Sequence, residues 1–213
     1  MNQSTYGYTL NTGISYPAWS EAAKSGINGL PARNPGGRIP YRAGITERPP
    51  HIALRARAGH WEVDAVVSRQ SAARVAALVE RKTRFFLAIR MKDKTASAPC
   101  EAGAGALSGI PSKLRRTLTY DNGLENAPRE LTNRALGVKS CFCKPYHSWE
   151  KGSIENRNGI LRRYFPKKRN WRLTAQKKID IVVRKINATP MKCLGFKTPS
   201  EVFAKCGGVA LAG

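Results

Sequence analysis

The stretch "HWEVDAVVSRQSAARVAALVERKTRFFLAIRM", from His60 to Met91, decides the fold of this 213-residue chain. In "HWEVDAVVS" two sets of alternating residues flank Asp64, and this period of two predicts a strand with one face packed inward. The segment "AALVERKTRFFLAIRM" contains two β-rich runs around the polar turn 81–84, which predicts a hairpin. Aspartate is disfavoured in the middle of a strand, so Asp64 stands out.

Downstream, the sequence predicts helices and strands in alternation. Small residues from 95 to 107 indicate a helix, "RRTLTYDNG" a short strand ending at Asp121, and residues 125–136 a helix before the strand "KSCFC". "IENRNGILRRYF" predicts a helix with Ser153 as its N-cap and an end before Pro166. Residues 174–187 predict a further helix, with a core face of Ile179, Val182, Val183 and Ile186. This order is typical of an α/β fold with a mixed sheet flanked by helices.

The chain length suits one catalytic-size core. Residues 1–44 are rich in Gly, Ser, Asn and Pro and predict a loosely ordered segment, residues 45–205 the core with its C-terminal helices, and residues 206–213 a tail. Five cysteines without C-x-x-C spacing indicate reduced thiols rather than a zinc site. Without a signal sequence or an apolar run of about 18 residues, we expect a cytoplasmic protein without a membrane segment.

The charge balance points to a polyanionic partner. The chain has 37 Lys and Arg against 14 Asp and Glu, a formal net charge of +23. Between residues 151 and 185 the only acids are Glu155 and Asp180, among many cations. Nucleic acid is the leading partner by this criterion. A ribosomal-type basic protein is the plainer alternative that charge alone leaves open.

Three acids stand out on the predicted elements: Asp64 within the first strand, Asp121 at the end of a later strand, and Glu155 in the first turn of a basic helix. Taken singly, each has an ordinary structural explanation, such as a helix N-terminal carboxylate or the first residue of a turn. Together, carboxylates among cations make sense as ligands of Mg²⁺ or Mn²⁺ that face a nucleic-acid backbone.

Several motifs, in one order, resemble the catalytic half of the IS-thirty (insertion sequence thirty) family of bacterial transposases. They are "GRIPYRAGITERP", "GHWEVD", "LVERKTRFFLAIRMKDKTA", "TLTYDNG", "PYHSWEKGSIENRNGILRRYFPK" and "CLGFKTPSEVF". The resemblance runs from about residue 37 to residue 204. It implies a ribonuclease-H-like fold, as in retroviral integrase catalytic cores, with Asp64, Asp121 and Glu155 as the catalytic and metal-binding triad.

The resemblance also implies an activity. A DDE transposase uses two Mg²⁺ or Mn²⁺ ions to cleave DNA at transposon ends, and the exposed 3′-OH then attacks target DNA. The partners implied are these DNAs and further copies of the chain, as a homo-oligomer on DNA at the bacterial nucleoid.

Further side chains are expected to support this chemistry. The residues expected to contact DNA are Lys151, Asn158, Arg162, Arg163, Lys167, Lys168 and Arg169. The supporting residues are Glu62, Asn122 and Trp149. Glu62 shares a strand face with Asp64 but is kept out of the metal set, and Trp149 either stacks on an unpaired base or packs against the sheet.

Departures from the family pattern indicate a truncated or decaying copy. Residues 1–36 show no helix-turn-helix pattern, and Val63, Asn126 and Ile154 replace the usual residues. The alternative function is therefore a non-enzymatic DNA-binding remnant that occupies DNA or pairs with a full-length transposase.

Overall fold

The computed structural model describes residues 8–9, 15–16, 50–71, 73–91, 98–120, 133, 136–143 and 152–208. Two short strands, β1 (Tyr8–Thr9) and β2 (Ser15–Tyr16), pair with each other in antiparallel orientation. The main sheet has five strands: β3 (His60–Val67), β4 (Arg74–Glu80), β5 (Phe86–Arg90), β6 (Thr117–Tyr120) and β7 (Lys139–Phe142).

The described helices are α1 (Pro50–Ala53), α2 (Ala98–Ser108), α3 (Gly152–Tyr164), α4 (Gln176–Asn187) and α5 (Pro199–Gly207). Two short 3₁₀ turns cover Ser112–Leu114 and Lys192–Leu194. The predicted hairpin, the strands around residues 60, 118 and 140, and the helices at α2, α3 and α4 are confirmed. Of the helix predicted at 125–136, only residues 133 and 136 are described, and both are helical.

The strand order is β5-β4-β3-β6-β7, with antiparallel pairing among β3, β4 and β5 and parallel pairing of β6 to β3 and of β7 to β6. The predicted mixed sheet is therefore confirmed. The expectation that β3 packs on one face only is wrong, because β3 is the central strand and both of its faces are covered. Trp61, Glu62 and Val63, which alternate in direction, are all fully buried.

Two hydrophobic cores lie on the two faces of the sheet. One face packs against α2 and α5 around Trp61, Val63, Leu107 and Phe203. The other face packs against α3 and α4, and it includes all four residues predicted as the core face of α4. The sheet is thus a layer between two layers of helices, which fixes α3 directly against β3 and β4.

The start of β3 is tied to the hairpin turn by Glu80, which is fully buried. One carboxylate oxygen accepts hydrogen bonds from the amides of Gly59 and His60, and the other accepts from the amide and hydroxyl of Thr83. Gly59 has φ +105°, and a Cβ there would come to 2.9 Å of the Arg116 side chain. Glycine is therefore required where the chain enters the central strand.

The outer edge of β5 is covered by amide side chains of α4. The Asn187 side chain accepts from the Phe86 amide and donates to the Phe86 carbonyl. At the other end of α4, the Gln176 side chain accepts from the Arg90 amide and donates to the Ala88 carbonyl. Both ends of α4 are thus fixed to the edge strand by hydrogen bonds that imitate those of a neighbouring strand.

Helix α5 was not among the predicted elements, although its sequence carries a start signal. Thr198 and Glu201 form a capping box, Pro199 occupies the first turn, and Gly208 ends the helix in the left-handed conformation. The side chain of Phe203 is fully buried, stacks on Phe85 at 4.2 Å and meets Trp61 edge-on at 5.9 Å between ring centroids.

The predicted division at residues 44 and 205 stays a prediction. Among the cysteine side chains that the structure describes, Cys141 and Cys143 are buried and Cys193 is exposed. None of the helices in the described ranges is both long and apolar enough to cross a membrane.

We expect Phe203→Ala to lower the free energy of unfolding by about 3–5 kcal/mol, because it removes a fully buried ring and leaves a cavity between α5 and the sheet. The matched control is Phe196→Ala, since Phe196 is 72% exposed and should change stability by less than about 0.5 kcal/mol. Urea denaturation of both variants measures the difference; equal losses would contradict the packing role of Phe203.

Candidate active site

Two hydrogen bonds join the central strand β3 to helix α3. The Glu62 carboxylate accepts from the amide of Ile154 at 2.9 Å, and the Asp64 carboxylate accepts from the side-chain amide of Asn158 at 2.6 Å. Two residues along a strand rise about 6.6 Å and one turn of four residues along a helix about 6 Å. Strand and helix therefore run side by side, and acids two residues apart on β3 meet positions one turn apart on α3.

Glu62 is the buried centre of this junction. Its side chain is fully buried and forms an ion pair with Arg81, whose side chain is also buried. Its second oxygen accepts the Ile154 amide in the first turn of α3. Ser153, predicted as the N-cap, instead lies inside the helix, which begins at Gly152. The acceptor for this amide comes from the sheet, because the buried face of β3 brings a carboxylate to the helix N-terminus.

Arg81 was not predicted as a site residue, although the register of the hairpin places it next to Glu62. The Arg81 amide donates to the His60 carbonyl, so Arg81 stands opposite His60 across the strand pair. Residues 60, 62 and 64 share one strand face, which makes Arg81 a diagonal neighbour of Glu62. A buried carboxylate on a central strand needs a partner for its charge, and a diagonal neighbour on the adjoining strand is close enough to supply one.

Asp64 is partly exposed near the middle of β3, as predicted, and Asn158 holds its carboxylate. Asn158 is 8% exposed, and its side-chain oxygen has no hydrogen-bond partner among the described residues. A buried amide oxygen in that state suits a cation or a donor from a ligand. The Asp64 carboxylate and this amide oxygen are the hard donors that Mg²⁺ and Mn²⁺ prefer.

Glu155 is exposed in the first turn of α3, three residues before Asn158. Residues three apart on a helix are neighbours on its surface, so Glu155 borders the side of α3 that meets Asp64. Arg162 follows one turn after Asn158 and is partly exposed, and Arg163 is exposed. The structure thus joins Asp64 to Asn158 and Glu62 to the backbone of Ile154, and it places Glu155 on the same helix between these two contacts.

The remaining predicted site residues lie outside the described residues: Asp121, Asn122, Trp149 and Lys151. Strand β6 is described up to Tyr120, the residue before Asp121. Within the described ranges, no group of three or more His, Cys, Asp or Glu side chains is placed so that it could hold a metal ion.

The basic turn of Lys167, Lys168 and Arg169 follows α3, and all three residues are exposed. Its backbone is fixed to the segment after β3. The Arg69 amide donates to the Lys167 carbonyl at 2.8 Å, and the Ser68 hydroxyl donates to the Arg169 carbonyl at 2.7 Å. Three cations are therefore presented to solvent by an ordered segment beside the C-terminal ends of β3 and α3.

Sequence comparison finds relatives among bacterial transposases. Over 169 residues the chain is 37% identical to the transposase for insertion sequence element IS1086 of Cupriavidus metallidurans, covering 79% of this chain and 50% of that protein. It is 39% identical over 167 residues to transposase InsI for IS30A of Escherichia coli, covering 78% and 43%. With the transposase for IS4351 of Bacteroides fragilis the identity is 36%, covering 78% and 51%. The chain spans about half the length of these curated relatives. No protein-family model matches the chain.

Structure comparison finds retroviral integrases. A simian T-cell lymphotropic virus intasome chain, in a complex with the PP2A regulatory subunit B56 gamma, superposes with a TM-score of 0.56 at 18% identity, covering 69% of this chain and 54% of that chain. The catalytic core domain of BIV integrase gives a TM-score of 0.53 at 16% identity, covering 70% and 95%. The predicted ribonuclease-H-like fold, a mixed sheet flanked by helices as in integrase catalytic cores, is confirmed.

We expect Glu62→Gln to lower the free energy of unfolding by about 3–5 kcal/mol, because it leaves the Arg81 guanidinium buried without its counter-charge. Gln keeps an oxygen for the Ile154 amide, so the loss reports the ion pair. The double variant Glu62→Gln, Arg81→Gln should lose clearly less than the two single variants together. Urea denaturation of all four proteins measures this coupling, and additive losses would contradict it.

Proposed function

Because the aligned part of this chain is related by sequence to the IS-thirty family of transposases, we propose that it is a DDE-type DNA transposase core whose catalytic residues are Asp64, Asp121 and Glu155. The observation that carries the proposal is the hydrogen bond from Asn158 to Asp64, because it joins the strand of the first acid to the helix of the third.

The register of the sheet supports Asp121 as the second acid. The three parallel pairs between β3 and β6 are His60 with Thr117, Trp61 with Leu118, and Glu62 with Thr119, each separated by 57 residues of sequence. The same separation from Asp64 leads to Asp121. Neighbouring residues of a parallel pair share one face of the sheet, and this is the arrangement that two carboxylates need in order to share a metal ion.

The proposed reaction is hydrolysis of a phosphodiester at a transposon end, which leaves a 3′-OH, followed by attack of that hydroxyl on a phosphodiester of target DNA. Two Mg²⁺ or Mn²⁺ ions, when bound by Asp64, Asp121 and Glu155, supply activation of the attacking oxygen and stabilisation of the leaving oxygen. The Asn158 amide orients the Asp64 carboxylate. Glu62 and Arg81 hold the first turn of α3, which carries Glu155, against the strand that carries Asp64.

The proposed path of the DNA backbone follows α3 towards its C-terminus. Arg162 and Arg163 lie in the last turn of α3, and the basic turn 167–169 follows the helix in the chain. Asn158 and Lys151 belong to the same proposed contact set, with Asn122 and Trp149 supporting the site. We propose further that the chain acts as a homo-oligomer on DNA, in the bacterial cytoplasm at the nucleoid.

We expect Asp64→Asn and Glu155→Gln each to lower nicking of supercoiled plasmid in Mg²⁺ or Mn²⁺ by more than about 100-fold, the order of loss seen when a transition-state stabilising group is removed. The matched control is Glu201→Gln. Like Glu155, Glu201 is an exposed glutamate in the first turn of a helix, and glutamine also serves in a capping box. This control should nick like the unaltered chain.

Circular dichroism first confirms that all the variants are folded. Full nicking by Asp64→Asn would refute the catalytic assignment. DNA binding without metal-dependent nicking, in the unaltered chain as well as in the variants, would support the remnant function instead.

We expect the triple variant Lys167→Ala, Lys168→Ala, Arg169→Ala to weaken binding to duplex DNA and to reduce the slope of log affinity against log salt by about 2–3, because each phosphate contact contributes about 0.9. The control removes three cations from α4, with Lys177, Lys178 and Lys185 changed to alanine. Fluorescence anisotropy across a salt series measures both slopes. Equal changes of affinity and slope in the two triple variants would show that DNA binding depends only on total charge, which would contradict a specific role for the basic turn.

A further inference from the structure

Three arginines from separate segments meet at the first turn of α3. Arg55 follows α1, Arg84 ends the β4–β5 turn, and Arg157 lies one turn into α3. Arg55 donates to the Ser153 hydroxyl at 3.4 Å and Arg84 donates to the same oxygen at 2.5 Å. Arg157 is buried and donates to the Arg84 carbonyl at 2.9 Å, which holds the Arg84 backbone in place.

In the described part of the chain, none of these three arginines forms an ion pair. The nearby carboxylate of Glu62 is already committed to Arg81 and to the Ile154 amide. The Nε atom of Arg55 is buried and has no hydrogen-bond partner among the described residues. An excess of cations therefore gathers at a helix N-terminus, which is itself a positive end.

The cations also disfavour one another. Burial, and then the charges of Arg84 and Arg81, lower the pKa of Arg55. Burial, and then the charge of Arg84, lower the pKa of Arg157 to about 10. Bringing like charges together costs free energy that a bound anion would recover.

The backbone is strained at the two arginines that reach Ser153. Arg55 has φ +55° and Arg84 has φ +63°, values at which glycine costs nothing and arginine costs about 1 kcal/mol. Strain of this kind concentrates at functional sites. Both strained positions carry a long cationic side chain, and both side chains reach the same serine oxygen.

Ser153 completes a donor set. A hydroxyl has two acceptor lone pairs and one hydrogen. Arg55 and Arg84 take the lone pairs, and the hydrogen has no acceptor among the described residues. Ser153 is buried, whereas Arg55 and Arg84 are partly exposed, so an anion from solvent could reach all three. Guanidinium forks with a hydroxyl donor match the oxygens of a phosphate.

We propose that Arg55, Arg84 and Ser153 form a binding site for one backbone phosphate of DNA, distinct from the phosphate that is cleaved. Positions 153 and 155 lie 200° apart around α3, so this site is on the opposite flank of the helix from Glu155. It would fix the DNA at the N-terminal end of α3, while the basic turn 167–169 contacts it beyond the C-terminal end. This inference rests on the proposed function for its choice of DNA.

The test uses Arg55→Gly and Arg84→Gly, because glycine removes the side chain and relieves the positive φ. Binding of a labelled duplex is measured in EDTA, where no cleavage occurs. Each variant should bind roughly 10-fold more weakly and show a salt slope smaller by about 1. Lys82→Ala is the matched control, because Lys82 lies in the same turn as Arg84 but donates to the Ala56 carbonyl; its effect should be clearly smaller.

Thermal unfolding provides a second readout. Inorganic phosphate should raise the Tm of the unaltered chain, relative to chloride at equal ionic strength, and the two glycine variants should lose this shift without losing stability. Stability losses without any phosphate shift would mean that the arginines pair with a carboxylate outside the described residues, which would overturn the proposal. A lost phosphate shift with unchanged DNA affinity would overturn the assignment to DNA. Plasmid nicking is assayed separately, so failure of the proposed catalytic function can be distinguished from failure of the proposed phosphate site.

Discussion

The buried carboxylate of Glu62 is the interaction on which the candidate site depends. It lies on the central strand, pairs with Arg81 from the hairpin, and accepts an amide of the first turn of α3. A single side chain thereby joins the sheet, the hairpin and the helix. Burying a carboxylate and a guanidinium carries a large desolvation cost, which is offset only when geometry and hydrogen bonding are complete. The arrangement is therefore rigid. Asp64 lies two residues after Glu62 on the strand, and Glu155 lies one residue after Ile154 on the helix, so both acids stand on backbone that this junction holds in place.

Much of the fold could be predicted from local patterns. The alternation around Asp64, the hairpin and the apolar face of α4 are strong signals because each depends on neighbours in sequence. The burial of β3 on both faces was not predictable from alternation, because it depends on which strands and helices cover it. Helix α5 has too few periodic apolar residues to be predicted from periodicity. Its capping box was a start signal, and it was not used.

The candidate site, like the fold, was predictable where its signals are local in sequence and not where they depend on distant contacts. The acids at Asp64 and Glu155 were found from motif order, and both lie on the elements predicted for them. Their connections were not found, because the contact of Asn158 with Asp64 and that of Arg81 with Glu62 join residues distant in sequence. Ser153 was misread as a cap for the same reason, since the acceptor for the helix amide comes from the sheet. The positive φ values of Arg55 and Arg84 likewise have no signature in residue type, because arginine rarely adopts them.

The amides of α4 that cover β5 have a consequence for how copies of this chain associate. An edge strand with open backbone groups can recruit a strand from another molecule and so start an aggregate. At Phe86, Ala88 and Arg90 those groups are already satisfied by Asn187 and Gln176. A second copy cannot add a strand there without first displacing α4. This edge of the sheet is thereby protected from growing into a continuous intermolecular sheet.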